Sequence, residues 1–207
     1  MSKPRSSGLT WKQRQEKDPY VQKARRDGWR SRAVFKLEEI DRLERLLKPE
    51  MLCVDVGAAP GSWSQYVTGK LKGKVRIIAV DLLPMDSLPS VEFIQGDFSD
   101  DDVLAVMHDA IGDSRVDLVM SDIAPNISGN RSIDQPRSMY LAELTLDLCQ
   151  QVLAQGGNFV CKLFQGEGID EYIATTRRLF KRVKVFKPKA SRAGSREVYL
   201  VARNYQL

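Results

Sequence analysis

Between Met51 and Phe164, short apolar, β-branched runs alternate with longer stretches of helical character, and this pattern constrains the fold more than any other feature. The runs are Met51–Gly57, Val75–Asp81, Val91–Gln95, Val116–Asp122 and Asn158–Phe164. Helices are expected over roughly 61–71, 100–111, 136–153 and 170–181. Strands alternating with helices predict a parallel sheet covered on both faces. Two further strands are expected at Arg182–Lys187 and Glu197–Ala202. The link between them is too short for a helical crossover, so they should run antiparallel. Before the first strand, a helix is expected from Ser31 to Pro49, with Ile40, Leu43 and Leu47 as its apolar stripe and Leu37 and Leu46 beside it. The predicted fold is therefore α/β and Rossmann-like: a mostly parallel, doubly wound sheet with an antiparallel C-terminal strand. The chain divides into a basic N-terminal arm, residues 1–30, and one domain, residues 31–207.

Charge is unevenly spread. Residues 1–32 hold ten Lys/Arg against three acids, and residues 177–196 hold nine against none, although the net charge is only +5. Two basic blocks around an acidic middle suit a polyanion, and Trp11, Tyr20 and Trp29 among the cations suit base stacking. A solvated arm and a solvated helix face would look the same. Arg25, Arg26, Arg30 and Arg32 in one block, with Lys187, Lys189, Arg192 and Arg196 in the other, are the expected phosphate contacts. No apolar run approaches a membrane span, and no apolar segment follows the basic start as in a secretory signal. A reduced, cytoplasmic, monomeric protein is expected. Cys53, Cys149 and Cys161 sit in apolar segments, and His108 is the single histidine, so no metal site is expected.

The strand ends carry the chemistry. Val54-Asp55-Val56-Gly57-Ala58-Ala59-Pro60-Gly61-Ser62-Trp63 follows the first strand and opens a helix. Its small residues let a ligand approach the backbone at the crevice of a doubly wound sheet. The spacing Gly57-x-x-x-Gly61 departs from the dinucleotide fingerprint, and Asp55 suits an amine-bearing or cationic ligand better than a pyrophosphate. S-adenosylmethionine carries both a sulfonium and an amino group. Asp81 ends the second strand, where an acid can hold ribose hydroxyls. Asp97 follows the third, where a carboxylate can accept from an adenine amino group while Phe98 stacks. The fourth strand runs into Asp122-Ile123-Ala124-Pro125-Asn126, which lacks the aromatic of base-amino methylation and the cysteine used on pyrimidine carbon. Transfer to oxygen remains. Lys162 interrupts the fifth strand beside Asp122, Glu197 opens the last strand at the same edge, and Lys36 shares the helix face of Ile40. Such charges can be structural, but their convergence at a ligand edge favours function.

These segments, with Ser31-Arg32-Ala33 through Lys36-Leu37, Asp81 through Met85, Gln95 through Phe98, Lys162 through Gly166 and Ser191 through Glu197, resemble the FtsJ/RrmJ family of large-subunit ribosomal RNA 2′-O-methyltransferases. The resemblance implies S-adenosylmethionine as donor and a catalytic tetrad at Lys36, Asp122, Lys162 and Glu197. It implies donor contacts at Gly61, Trp63, Asp81, Asp97 and Asp122, to which the glycine-rich loop adds Asp55 and Gly57. Lys162 would assist removal of the hydroxyl proton, oriented by Asp122 and Lys36, with Glu197 in support. The implied target is a uridine of the A-loop in 23S ribosomal RNA within the large subunit. Where this family often has Gly-Gly-Trp, the chain has Gly61-Ser62-Trp63. Relatives that modify transfer RNA share the tetrad. A dehydrogenase, a small-molecule O-methyltransferase and a non-catalytic RNA-binding protein are the other readings. The first lacks its fingerprint, the second does not need the basic blocks, and the third does not need the tetrad.

Overall fold

The computed structural model describes residues 17–192 and 194–206. Its order of elements is α1 (Pro19–Arg26), α2 (Val34–Glu44), β1 (Met51–Val56), α3 (Ser62–Lys70), β2 (Val75–Asp81), β3 (Val91–Gln95), α4 (Asp101–Ile111), β4 (Val116–Ser121), α5 (Arg131–Val152), β5 (Leu153–Phe164), α6 (Ile169–Leu179), β6 (Phe180–Phe186) and β7 (Glu197–Tyr205). The seven strands form one sheet in the order β3-β2-β1-β4-β5-β7-β6. β1 to β5 pair in parallel, and β7 enters antiparallel between β5 and β6. This is the α/β, mostly parallel sheet that the alternation predicts. The chain leaves β1 for β2 and β3 on one side and returns to β4 on the other. Loops diverge at that reversal, and a crevice opens beyond the carboxyl ends of β1 and β4.

Side chains alternate across the sheet, as strand geometry requires. Leu52, Val54, Val56, Phe159, Cys161 and Leu163 pack on one face under α4, α5 and α6. Met51, Cys53, Val160, Tyr199 and Val201 pack on the other under α1, α2 and α3. All three cysteines are buried and unpaired.

Several boundaries differ from the sequence expectation, each for a local reason. α2 is shorter than 31–49: Arg45 turns left-handed, and the Asp41 carboxylate accepts the N–H groups of Leu46 and Leu47 at 3.0 and 3.1 Å. Its buried face runs Leu37, Ile40, Asp41 and Glu44, while Leu43 is 51% exposed and does not belong to the stripe. α5 starts at Arg131, earlier than expected, because Asn130 caps it by accepting Ser132 N–H at 3.1 Å. Pro136 therefore lies inside the helix. β5 starts at Leu153, with a register irregularity against β4 between Val116 and Leu118.

The division at residue 30 does not coincide with a break in packing. Asp18 caps α1, Ala24 is buried, and Trp29 lies 6.2 Å from the Tyr66 ring. Of the expected arm, residues 1–16, including Trp11, lie outside the described residues.

Candidate active site

A cavity of about 640 Å³ occupies the crevice, lined by Gly57, Asp81, Asp97, Asp122, Asn126 and Tyr140 among others. Asp81 ends β2 and is pinned by backbone: Oδ2 accepts Ala59 N–H at 2.9 Å and Oδ1 accepts Leu83 N–H at 2.8 Å. Each oxygen keeps lone-pair capacity for a ligand hydroxyl. Asp97 accepts the Ser99 hydroxyl and N–H on Oδ1, which holds its carboxyl below the usual range and leaves Oδ2 to face a donor. Phe98 lines the cavity but is otherwise buried in the core. Gly57 has φ +76°, and a Cβ there would lie 2.6 Å from the Ile123 backbone. Only glycine lets the loop after β1 approach the loop after β4 so closely.

Three residues expected to touch the donor do not line this cavity. The Trp63 side chain is 2% exposed, and its indole N–H donates to Ala33 O at 2.9 Å, away from the crevice. What it offers a ligand is the backbone of the first turn of α3, where N–H groups lack intrahelical acceptors. Asp55 is buried beneath that turn: Oδ2 accepts the Ser64 hydroxyl at 2.7 Å, and Oδ1 has no partner among the described residues. Burial pushes its carboxyl up to about 7 against the Ser64 hydrogen bond, and the charges of Asp122 and Asp81 add to the rise. Asp55 therefore supports the loop from behind, and its side chain does not face the crevice. Gly61, with φ +98°, packs against Arg30, and a Cβ there would meet Arg30 Nη1 at 2.6 Å.

Arg30 itself departs from expectation. Its guanidinium donates to Pro60 O at 3.0 Å, Asp86 O at 2.8 Å and Ser87 O at 3.0 Å. It clamps the loop after β1 to the loop after β2, so three of its five N–H donors are engaged within the protein. Arg32 is committed too, to Asp18 and to the Ala190 carbonyl. A guanidinium is a planar fork of donors, which explains its use where several carbonyls converge.

Beside the cavity the four charged residues meet. Lys36 comes from α2, Asp122 follows β4, Lys162 lies near the end of β5, and Glu197 opens β7. Lys36 Nζ lies 2.9 Å from Glu197 Oε1 and 4.0 Å from Asp122 Oδ1. Lys162 Nζ lies 3.2 Å from Asp122 Oδ1 and also donates to the Asp122 carbonyl. The charges balance, as a largely buried cluster requires. Burial opposes the Asp122 carboxylate, but Lys162 and Lys36 outweigh it, with the Tyr199 hydroxyl, and hold its pKa below the ordinary value. The Ser191 hydroxyl fixes Glu197 Oε1 at 2.9 Å.

Tyr199 completes the arrangement, and sequence reasoning passed it over. Its hydroxyl donates to Asp122 Oδ1 at 2.6 Å, and its ring lies 5.4 Å from Lys36 Nζ and 5.8 Å from Trp63. Burial, then the charges of Asp122 and Glu197, raise its pKa well above the ordinary value, so it stays a donor. The signal was present: Tyr199 is two residues past Glu197 on one strand, hence on the same face. The register also sets it directly opposite Lys162.

Chemically, the cluster presents a lysine held by a carboxylate, Asp122, that also lines the cavity. Residues 29–205 match the model of the family described as FtsJ-like methyltransferase. The fold is also similar to the crystal structure of a Plasmodium falciparum protein described as a ribosomal RNA methyltransferase, with TM-score 0.78 and 32% sequence identity over 86% of this chain and 98% of that one.

Proposed function

We propose, from the premise that the chain belongs to the FtsJ-like methyltransferase family, that it methylates a ribose 2′-hydroxyl of ribosomal RNA, with S-adenosylmethionine as donor. The observation that carries this reading is Asp122: it lines the donor cavity and also holds Lys162, so donor and proton acceptor share one residue. The cavity fits the donor. Asp81 offers two pinned oxygens to ribose hydroxyls, Asp97 offers an acceptor for the adenine amino group, and the α3 first turn offers N–H groups to a carboxylate. When bound, S-adenosylmethionine supplies an electrophilic methyl group on a sulfonium leaving group.

The residues of the chain then have three tasks. Asp81, Asp97 and the Gly57 loop would hold the donor. Lys162 assists removal of the proton of the 2′-hydroxyl as the oxygen attacks, and its two contacts with Asp122 fix the direction of its Nζ. Lys36, itself held by Glu197, approaches the same Asp122 Oδ1, and the Tyr199 hydroxyl donates to that oxygen as well. Orientation of this kind can supply several orders of magnitude in rate. Transfer to oxygen is favoured because the loop after Asp122 reads Ile123-Ala124-Pro125-Asn126, with no aromatic to clamp a base and no thiol to attack one. The finer reading is a uridine in the A-loop of 23S RNA, reached in the large subunit; transfer RNA is the second reading.

Incubation with donor radiolabelled in the methyl group, separated ribosomal subunits and bulk transfer RNA tests this. Nucleoside analysis should find label in 2′-O-methyluridine from the large subunit. Label on a base, or in transfer RNA alone, would overturn the assignment.

A further inference from the structure

A second cavity, of about 610 Å³, opens where the end of β5 meets the start of β7. Its lining includes Ile127, Arg131, Phe164, Arg192 and Arg196. It shares no lining residue with the first cavity. Its place is set by the sheet: Phe164 pairs with Glu197 in the β5–β7 register, and Arg196 immediately precedes Glu197. Phe164 lies two residues beyond Lys162, about 7 Å along the strand. The cavity therefore adjoins the reacting position without containing it.

Its charge is not neutralised from within. Asp134 is the one acid among its lining residues, and it is fully engaged: its carboxylate accepts Ser128 N–H at 2.9 Å, the Ser128 hydroxyl at 2.8 Å and Gly129 N–H at 2.9 Å. Arg131 has no ion pair among the described residues. Arg192 is half exposed, and its one acidic neighbour, Asp18 at 3.7 Å, is already paired with Arg32. Arg196 is pre-oriented: Nη1 donates to Gln165 O at 2.8 Å and Gln135 Oε1 at 3.4 Å, leaving Nη2 and Nε for an outside acceptor. The wall behind it is rigid, because Gln135 Nε2 donates to Phe164 O at 3.1 Å and Glu167 O at 2.9 Å. Ile127 is 60% exposed and Phe164 half-buried, so apolar surface lies beside the guanidinium groups.

We propose that this cavity seats the nucleotide adjoining the methylated ribose in a single-stranded RNA segment, its phosphate on Arg131, Arg192 and Arg196 and its base against Phe164 and Ile127. This rests on the methyl-transfer reading and deepens it. Guanidinium forks match phosphate oxygens bidentately, and aromatic or apolar faces take unstacked bases without regard to sequence. The target ribose then lies at Lys162 between the two cavities, with the donor on one side and the neighbouring nucleotide on the other. Arg30 and Arg32, by contrast, are engaged with the protein's own carbonyls and with Asp18.

Arg131→Ala, Arg192→Ala and the double variant test this against a fluorescent single-stranded RNA oligonucleotide containing 4-thiouridine. Each single change should weaken RNA binding about three- to tenfold at low salt. The slope of log affinity against log salt should shrink by about 0.7 for each phosphate that is no longer neutralised. Arg131→Lys should restore the slope. Ultraviolet cross-links in the parent should map to peptides bearing Ile127 or Phe164. Calorimetry with S-adenosylhomocysteine should give unchanged affinity in every variant. A double variant with parental RNA affinity and salt slope overturns the proposal, as do cross-links confined to other surfaces. The two readings separate cleanly: RNA held in this cavity but labelled on a base sinks the ribose assignment and leaves the cavity's role standing.

Discussion

Tyr199→Phe tests the reasoning about the tetrad most directly. The substitution removes one atom from a fully buried side chain and keeps the ring contacts with Trp63 and Lys36. It deletes the 2.6 Å hydrogen bond to Asp122 Oδ1. A hydrogen bond to a charged acceptor contributes about 1.5–3 kcal/mol. For a chain of this size each kcal/mol moves Tm by about 2–4 °C, so the variant should melt roughly 3–12 °C lower at neutral pH. The deficit should depend on pH. Asp122 is held below its ordinary pKa, so the stability it contributes is present above the unfolded value, near 3.9, and is lost as pH falls through the folded value. Removing the hydroxyl weakens that depression, so the gap between variant and parent should narrow in acid. Thermal melts from neutral pH downward measure this. Asp122 should also sit less firmly against Lys162, and the single-turnover rate should fall about tenfold, equivalent to about 1.4 kcal/mol of barrier. Donor affinity, measured with S-adenosylhomocysteine, should hold. A phenylalanine variant with parental Tm and parental rate would show that the hydroxyl supports neither the fold nor the site.

Three further outcomes are expected. Lys162→Arg should abolish single-turnover methylation while donor binding persists, because a guanidinium does not release its proton in this range; an active arginine variant would leave Lys162 an electrostatic support and no base. Arg30→Ala frees three backbone carbonyls that join the donor loops, so calorimetry should show donor affinity about tenfold weaker with RNA affinity retained; the opposite pattern would return Arg30 to the RNA surface. Asp55 has its folded pKa raised to about 7, so the stability tied to its neutral form is full below about pH 4 and is lost as pH rises through 7. Asp55→Asn should flatten that part of the stability profile, and an unaltered slope in denaturant titrations across this window would mean that Asp55 is not the group responsible.

The sequence determined the sheet, its parallel core and the four charged residues of the tetrad, because strand ends are local properties. A β-branched run that stops at Asp81 or Asp122 marks its own carboxyl edge, and a lysine inside an apolar run stands out wherever the strand is placed. Glu197 followed from the short link that makes the last strands antiparallel. Side-chain partners are a different matter. The strand containing Tyr199 was legible, but its bond to Asp122 depends on β7 inserting between β5 and β6 and on the register that sets Tyr199 against Lys162. Asp55 and Trp63 belong to a loop motif that looks ligand-facing, yet strand alternation and the seating of α3 turn both side chains inward. Arg30 and Arg32 read along the chain as part of a basic arm, but in the fold three carbonyls surround the first and Asp18 holds the second. Charge along a chain says how many cations exist; only the packing of distant loops decides which are engaged inside the protein and which, like Arg131, have no ion pair among the described residues.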